Sequence, residues 1–223
     1  MNATLVLLSK LPRPGAVKTR LCPPLSPQEA AALFEACFLD AIDAVEAVPL
    51  ELDKRLVLAL AASETTAAAA PYLRPGWTVQ RQVDGDLGAR IEGALQSVER
   101  WPALVIGADA PLLGAARLGA ALRALQDHAV VLGPVEDGGY DLIGLDRPRP
   151  ELFHGIPWST AAVLETTVRR AAPLRPHLLP LSMDLDRPED LRPCLARLEA
   201  DPTVGARTRR ALAALLASPR SPT

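Results

Sequence analysis

Short apolar runs alternate with helix-forming stretches along nearly the whole chain, and that rhythm restricts the fold more than any other feature. Ala3–Ser9, Arg55–Leu60, Trp77–Gln82, Ala103–Gly107, Ala129–Leu132, Tyr140–Leu145 and Leu178–Met183 read as strands. Ser26-Pro27-Gln28-Glu29 is a capping box with proline at the first helical position, and it opens a helix expected to run to about Val48. Ser63 is expected to cap a short Ala-rich helix. Leu87–Arg100 spaces Leu87, Ile91, Leu95 and Val98 at helical intervals. Leu118–Gln126 reads as a helix, and Ser159 as the cap of another that ends near Ala171. Pro188 begins a C-terminal helix that Pro193 is expected to break or kink, and Ala206–Ala217 is a final amphipathic helix. Strands alternating with helices predict an α/β fold with a mainly parallel sheet. No repeat or linker divides the chain, so residues 1–217 are expected to form one domain, with 218–223 a frayed tail.

Composition removes several classes of function. Of the 223 residues, 49% are apolar, which excludes a disordered chain, and the eight aromatic residues leave a core built from Ala, Leu and Val. No apolar run approaches the ~18 residues of a membrane span. No basic leader with a cleavage site precedes the first strand, which predicts a cytoplasmic protein. The net charge of −2 gives no footprint for nucleic acid or for an anionic membrane. Cys22, Cys37 and Cys194 are scattered, as reduced thiols are, and form neither a zinc nor a disulfide framework.

In parallel sheets, ligands bind beyond the carboxyl ends of the strands. The loop after the first strand, Lys10 to Leu21, packs Lys10, Arg13, Lys18 and Arg20 together. It is neither a Walker A loop nor a dinucleotide fingerprint, because the required glycines are absent. The chain has three lysines against twenty-one arginines, and two of the three lysines lie in this loop. An ammonium is a point-charge phosphate ligand and a guanidinium grips oxygens with a fork, so Lys18 and Arg20 could neutralise a polyphosphate. The plainer reading is a solvated basic loop stiffened by prolines.

Asp109 follows a buried strand, and Asp184 and Asp186 follow the last one. If those strands are neighbours, Asp109 and Asp184 or Asp186 converge at one sheet edge, where two carboxylates, phosphate oxygens and water suit Mg²⁺ (or Mn²⁺). Alternatively, Asp109 is a turn residue and Asp186 caps the helix at Pro188. Asp137-Gly138-Gly139-Tyr140 is ordinary hairpin chemistry, or a place where a substrate approaches the backbone. Asp84 to Gly88 sits at a strand-to-helix junction whose amides could meet a base or an anion. Trp158 could wall a pocket.

Six segments occur in order: Lys-x-Pro-x-Pro-Gly-x-Val-Lys-Thr-Arg-Leu (10–21), Gly-Asp-Leu-Gly-x-Arg (85–90), Ile-Gly-Ala-Asp-x-Pro (106–111), Gly-Pro-x-x-Asp-Gly-Gly-Tyr (133–140), Pro-Trp-Ser-Thr (157–160) and Asp-x-Asp-x-Pro-Glu-Asp-Leu (184–191). Together they resemble an uncharacterised bacterial family, of the DUF2064 type, in the nucleotide-diphospho-sugar transferase superfamily. The resemblance spans residues 3 to 195. The Lys-Thr-Arg-Leu stretch is also similar to that of phospholactate guanylyltransferases. The sequence departs from the family pattern at Ala89, usually acidic, and at Ala110, often Cys or Ser. The resemblance implies a single GT-A-like, Rossmann-like domain with a central mixed sheet. It implies a nucleotide over the first strands, served by Lys10, Gly15, Lys18, Thr19, Arg20, Gly85, Asp86, Leu87 and Gly88. It implies a metal at Asp109 with Asp184 or Asp186, and an acceptor beside Gly138, Gly139, Tyr140, Trp158 and Ser159.

The leading expectation is Mg²⁺-dependent nucleotidyl transfer from an NTP to a phosphorylated small molecule. Lys18 and Arg20 would hold the β- and γ-phosphates, and Asp109 and Asp186 would hold Mg²⁺ against the α-phosphate. The rival is glycosyl transfer from an NDP-sugar, with Asp137 as acceptor base. A nucleotide-binding protein without turnover is the third reading. The helix carrying Leu212, Leu215 and Leu216 is expected to pack on its own domain, with a homodimer as the alternative.

Overall fold

The computed structural model describes residues 2–217; the segment 218–223, read above as a tail, lies outside them. Seven strands form one sheet in the order β3-β2-β1-β4-β6-β5-β7. They are β1 (Ala3–Lys10), β2 (Leu52–Ala59), β3 (Trp77–Arg81), β4 (Ala103–Gly107), β5 (Val130–Pro134), β6 (Tyr140–Leu145) and β7 (His177–Leu178). All run parallel except β6, which is antiparallel to both of its neighbours. The mixed, mostly parallel α/β sheet expected from the sequence is therefore present.

Period-two alternation places each strand's side chains on two buried faces. Leu5, Leu7, Leu56, Leu58, Leu104 and Ile106 pack against α1 (Pro27–Glu46) and α3 (Ala115–Ala124). Val6, Val57, Val105, Ile143 and Leu145 face the other way, toward α2 (Leu87–Gln96) and α4 (Val163–Ala171). A third cluster joins α5 (Leu191–Ala200) and α6 (Ala206–Ala217) to α1 through Leu33, Cys37, Cys194, Leu198 and Leu212. The last helix thus buries Leu212 within its own domain. Among the described residues, no helix is long and apolar enough to cross a membrane.

The capping box forms as expected: the Ser26 amide donates to Glu29 Oε2 at 2.7 Å, and the Glu29 amide to Ser26 Oγ at 3.2 Å. Other boundaries differ for identifiable reasons. The stretch after Ser63 is a 3₁₀ segment, Thr66–Tyr72, with Pro71 inside it. The last strand is only two residues long, because Pro180 has no N–H to continue the ladder. Ser159 does not cap α4; it adopts φ 64°, and the helix starts at Val163. Pro193 does not break α5. It is the third residue of α5, where its missing N–H would have had no intrahelical partner. Gly205, at φ 56°, precedes α6 and has no side chain to cap it. Asp40 of α1 supplies the cap, accepting from the amides of Arg207 (3.1 Å) and Thr208 (2.8 Å) and from the Thr208 hydroxyl (2.8 Å).

Candidate active site

Strand order reverses between β1 and β4, since β1 leads outward to β2 while β4 lies on its other side. Such a switch point opens a crevice beyond the strand ends. A cleft of about 750 Å³ lies there, lined by the loops after β1 and β4, the β5–β6 hairpin and the segment after β7.

The loop after β1 is pinned from beneath by buried Leu11, Val17, Leu21 and Leu25. Lys18 takes a left-handed conformation, φ 48°, and its side chain is only 3% exposed. Its Nζ lies 3.4 Å from Asp109 Oδ2 and 3.9 Å from Asp186 Oδ1. Arg20 Nη1 lies 2.7 Å from Asp186 Oδ2. Lys10 donates to the Ala16 carbonyl at 3.4 Å, and Arg13 pairs with Glu64 at 2.6 Å. Lys10, Arg13 and Arg20 remain exposed, as in a solvated basic loop, whereas Lys18 is buried against carboxylates.

Asp109 is set two residues beyond β4, where the Ala108 amide still donates to the Leu8 carbonyl at 3.2 Å. Asp184 and Asp186 alternate with Met183 and Leu185, which are buried in the third cluster, and both carboxylates line the cleft. Lys18 beside Asp109 holds that carboxyl below its usual range against the opposing effect of burial. Burial by itself lowers the Lys18 pKa, but Asp109, Asp186 and Asp184 outweigh it and keep the ammonium above its ordinary value. Burial, reinforced by the charges of Asp109 and Asp137, pushes the Asp184 carboxyl up to about 8. Among the described residues, no cation lies within salt-bridge distance of Asp184, whereas Asp186 already answers Lys18 and Arg20. Asp186 is not the helix cap: Asp190 accepts from the amides of Asp186 (2.9 Å) and Arg187 (2.6 Å).

Asp137, Gly139, Tyr140, Trp158 and Ser159 line the opposite wall, and the Tyr140 and Trp158 rings meet edge to face at 6.4 Å. Asp137 Oδ1 accepts from the Gly139 amide at 2.8 Å. Lys10, Thr19 and Leu87 also line the cleft, whereas Gly15, Gly85, Asp86, Gly88 and Gly138 do not. Asp86 instead caps α2 by accepting from the Ala89 amide at 2.9 Å. Gly88 is needed for close packing, because a Cβ there would lie 2.6 Å from Trp158 Nε1 and 2.9 Å from the Phe153 carbonyl. Gly138 combines φ 87° with the Ala161 carbonyl 2.2 Å from where a Cβ would stand.

Sequence reasoning passed over three groups. Gln82, just past β3, donates to the Ser9 and Val57 carbonyls, and Arg90 reaches its Oε1 at 3.4 Å. A polar amide ending an apolar strand was the available signal. Asp141 is buried under the cleft and takes a two-pronged pair from Arg117 at 2.9 and 3.1 Å. Burial raises the Asp141 carboxyl, and Arg117 only partly opposes it. Nothing in the sequence marks Arg117.

Among the described residues, no group of three or more His, Cys, Asp or Glu side chains is arranged to hold a metal ion. The donors present are the carboxylates Asp109 and Asp184, which suits a hard cation that keeps most of its ligands as water and phosphate.

The model of the family described as an uncharacterised protein conserved in bacteria (DUF2064) matches residues 44–160, just over half of the sequence. The chain belongs to this family. A candidate nucleotide-diphospho-sugar transferase from Desulfovibrio desulfuricans G20 is 27% identical, with TM-score 0.87 over 96% of this chain and 95% of that one. A cytidylyltransferase from Leptospira borgpetersenii shares the fold at 12% identity, TM-score 0.57, over 100% of this chain and 98% of its own. Rv0371c from Mycobacterium tuberculosis, solved in complex with manganese, does so at 16% identity, TM-score 0.55, over 88% and 99%. A search of curated proteins finds no match. This DUF2064 chain therefore has the GT-A-like fold common to nucleotide-diphospho-sugar transferases and cytidylyltransferases, which by itself leaves the reaction open.

Proposed function

We propose that the protein is a metal-dependent nucleotidyltransferase that moves a nucleotidyl group from an NTP to a phosphorylated small molecule. The observation that carries this reading is the buried Lys18 ammonium, set with Arg20 against Asp109 and Asp186 at the switch-point cleft. A triphosphate needs two such cations more than a sugar diphosphate does. Asp109 and Asp184 would hold the cation, with Asp184 in place of the expected Asp186, whose oxygens are taken by Lys18 and Arg20 and orient them. A bound Mg²⁺ or Mn²⁺ would supply charge neutralisation at the phosphates; support comes from the oxygen-only donor pair and from the manganese complex of Rv0371c.

In the proposed reaction an acceptor phosphate oxygen attacks the α-phosphorus as the bond to the bridging oxygen breaks, and pyrophosphate leaves. Lys18 and Arg20 balance the charge gathering on the leaving group. Arg20 spends one N–H donor on Asp186, which leaves others of its five for phosphate. The residues position and neutralise; no covalent enzyme intermediate is required.

Glycosyl transfer is the second reading, favoured by the 27% identical Desulfovibrio relative. Asp137, on the cleft wall, would then deprotonate an acceptor hydroxyl. The test is a thermal-shift panel with Mg²⁺, four NTPs, UDP-glucose and GDP-mannose, followed by product analysis with phosphorylated sugars. An NTP that stabilises wild type by ~2.7 kcal/mol at 100 times its dissociation constant, but not Lys18→Ala, supports nucleotidyl transfer, with pyrophosphate as the product. A response confined to NDP-sugars, with a nucleoside diphosphate released, would replace it by glycosyl transfer.

A further inference from the structure

The segment between β7 and α5 carries Asp184 and Asp186 but has almost no regular pairing of its own. It is tied to β5 by the Leu179 amide on the Leu132 carbonyl and the Ser182 amide on the Pro134 carbonyl, each at 2.9 Å. Pro180 interrupts the ladder between those bonds, and its own carbonyl points away to a different element. Arg117 of α3 donates from Nη1 to that carbonyl at 2.8 Å, while its Nε and Nη2 grip Asp141 of β6. One guanidinium thus fastens three pieces of chain: the helix before β5, the antiparallel strand under the cleft, and the segment that brings the carboxylates. The fit is tight, since a Cβ on Gly133 would lie 2.2 Å from Asp141 Oδ1 and 2.8 Å from Arg117 Nη2. The Asp141 side chain is fully buried, while that of Arg117 is 14% exposed and reaches the Pro180 carbonyl at the surface.

We propose that Arg117, braced by Asp141, is a positioning residue that holds the 179–186 segment so that Asp184 faces Asp109 across the cleft. This rests on the reading of Asp109 and Asp184 as the metal-facing carboxylates. A buried ion pair contributes little net stability, because desolvating both charges offsets their attraction, and an apolar pair of similar size often does as well. What an apolar pair cannot do is hold the Pro180 carbonyl. Stability and positioning are therefore separable at this pair.

The experiment uses the full chain with Arg117→Met, Asp141→Leu, the double variant, and Arg117→Lys. Each is measured by urea unfolding, by hydrogen exchange of peptides covering 179–186 and 27–46, and by Mn²⁺ titration followed by electron paramagnetic resonance. Each single apolar replacement strands a buried charge and loses stability, and the double variant regains most of it. In the double variant, exchange across 181–186 is expected to quicken about tenfold while α1 stays protected. Mn²⁺ binding is expected to weaken about 10- to 100-fold, as when an outer partner of a metal ligand is removed. Arg117→Lys keeps the charge on Asp141 but cannot grip both partners. It should fold normally and still show faster exchange at 181–186, which keeps the test decisive if the double variant fails to fold. Wild-type exchange at 181–186 together with wild-type Mn²⁺ affinity in the double variant, or in Arg117→Lys if the double does not fold, would overturn the proposal. Fast exchange in a protein whose wild type binds no Mn²⁺ would support the positioning role and refute the metal reading alone.

Discussion

Asp40→Ala removes a cap that the structure delivers from another helix. Asp40 lies in α1 and is nearly buried, with a side chain 8% exposed. Its two oxygens take the Arg207 amide, the Thr208 amide and the Thr208 hydroxyl, and Thr208 is itself completely buried. Losing a carboxylate cap costs ~1–2 kcal/mol. The buried Thr208 hydroxyl would keep only the weak acceptor Cys37 Sγ at 3.5 Å, and that poorer pairing adds ~1–2 kcal/mol, toward the desolvation cost of an unsatisfied donor. The Arg207–Asp43 pair survives and keeps α6 from detaching completely. The expected total is ~2–4 kcal/mol, which would lower the urea midpoint by about 1 M for slopes of ~2–3 kcal/mol/M. Asp40→Asn keeps the oxygen that takes the Thr208 amide and hydroxyl but sets an NH2 against the Arg207 amide, so it should lose about 1–2 kcal/mol, less than alanine. Equilibrium urea unfolding of the three proteins, with hydrogen exchange of peptides from 206–217, measures both quantities. A loss below ~0.5 kcal/mol in the alanine variant, or equal losses in the two variants, would refute the assignment of this cost to the cap.

Four further outcomes are expected. Gly88→Ala places a methyl against Trp158 and the Phe153 carbonyl; overpacking of ~1–3 kcal/mol should outweigh the ~1 kcal/mol gain in helix propensity, and a destabilised protein with altered tryptophan emission would bear this out. Lys18→Met should flatten stability at both pH extremes, as pH-dependent unfolding can show. The raised Lys18 pKa gives stability that is full below 10.5 and lost as pH rises through the higher folded value. The lowered Asp109 pKa gives stability that is present above 3.8 and lost as pH falls through the folded value. Asp184 has the opposite sign: a carboxyl raised from 3.8 to about 8 destabilises the fold increasingly as pH climbs between those values. Metal-free Asp184→Asn should therefore melt higher than wild type at pH 8, with the gap closing toward pH 4. Arg20→Ala, losing one cation contact to the leaving group, should lower the transfer rate by ~10²-fold; single-turnover kinetics with the NTP found in the panel would show it, and an unchanged rate would remove Arg20 from the mechanism.

The parts legible in the sequence were those decided by local chemistry. Ala103–Gly107 and Tyr140–Leu145 appear with the expected bounds because their length and the turn residues flanking them favour a strand over a helix. The Ser26–Glu29 box needs only residues three apart. Asp109 and Asp186 do meet Lys18 and Arg20, but not by the expected adjacency of their strands: β6 and β5 separate β4 from β7, and the irregular segment after β7 carries Asp186 to the cleft. Gly88 looked like part of an anion-binding turn because its neighbour in space, Trp158, is seventy positions away in the chain. The family resemblance gives Asp86 to the nucleotide, although a helix opening at Leu87 already puts it at the cap position, where it accepts from the Ala89 amide. Arg117 is one of twenty-one arginines, and only the fold shows that its partners are Asp141 and a proline carbonyl.

The middle and the C-terminal third of the chain close what the N-terminal third opens. Lys18 meets Asp109 across 91 positions, Arg20 meets Asp186 across 166, and Asp40 meets Thr208 across 168. On a ribosome adding ~5–20 residues per second, the basic loop waits roughly ten to thirty seconds for its distant carboxylates. During that interval the early strands can pair, but Lys18 and Arg20 lack Asp186, and α1 lacks the helix that covers it. The cleft is therefore completed late in synthesis, Asp109 emerging well before Asp186. A messenger truncated before the codons for the last two helices would yield a chain with every residue of the proposed active site and an uncovered first helix, a species for chaperones and proteases rather than for substrate.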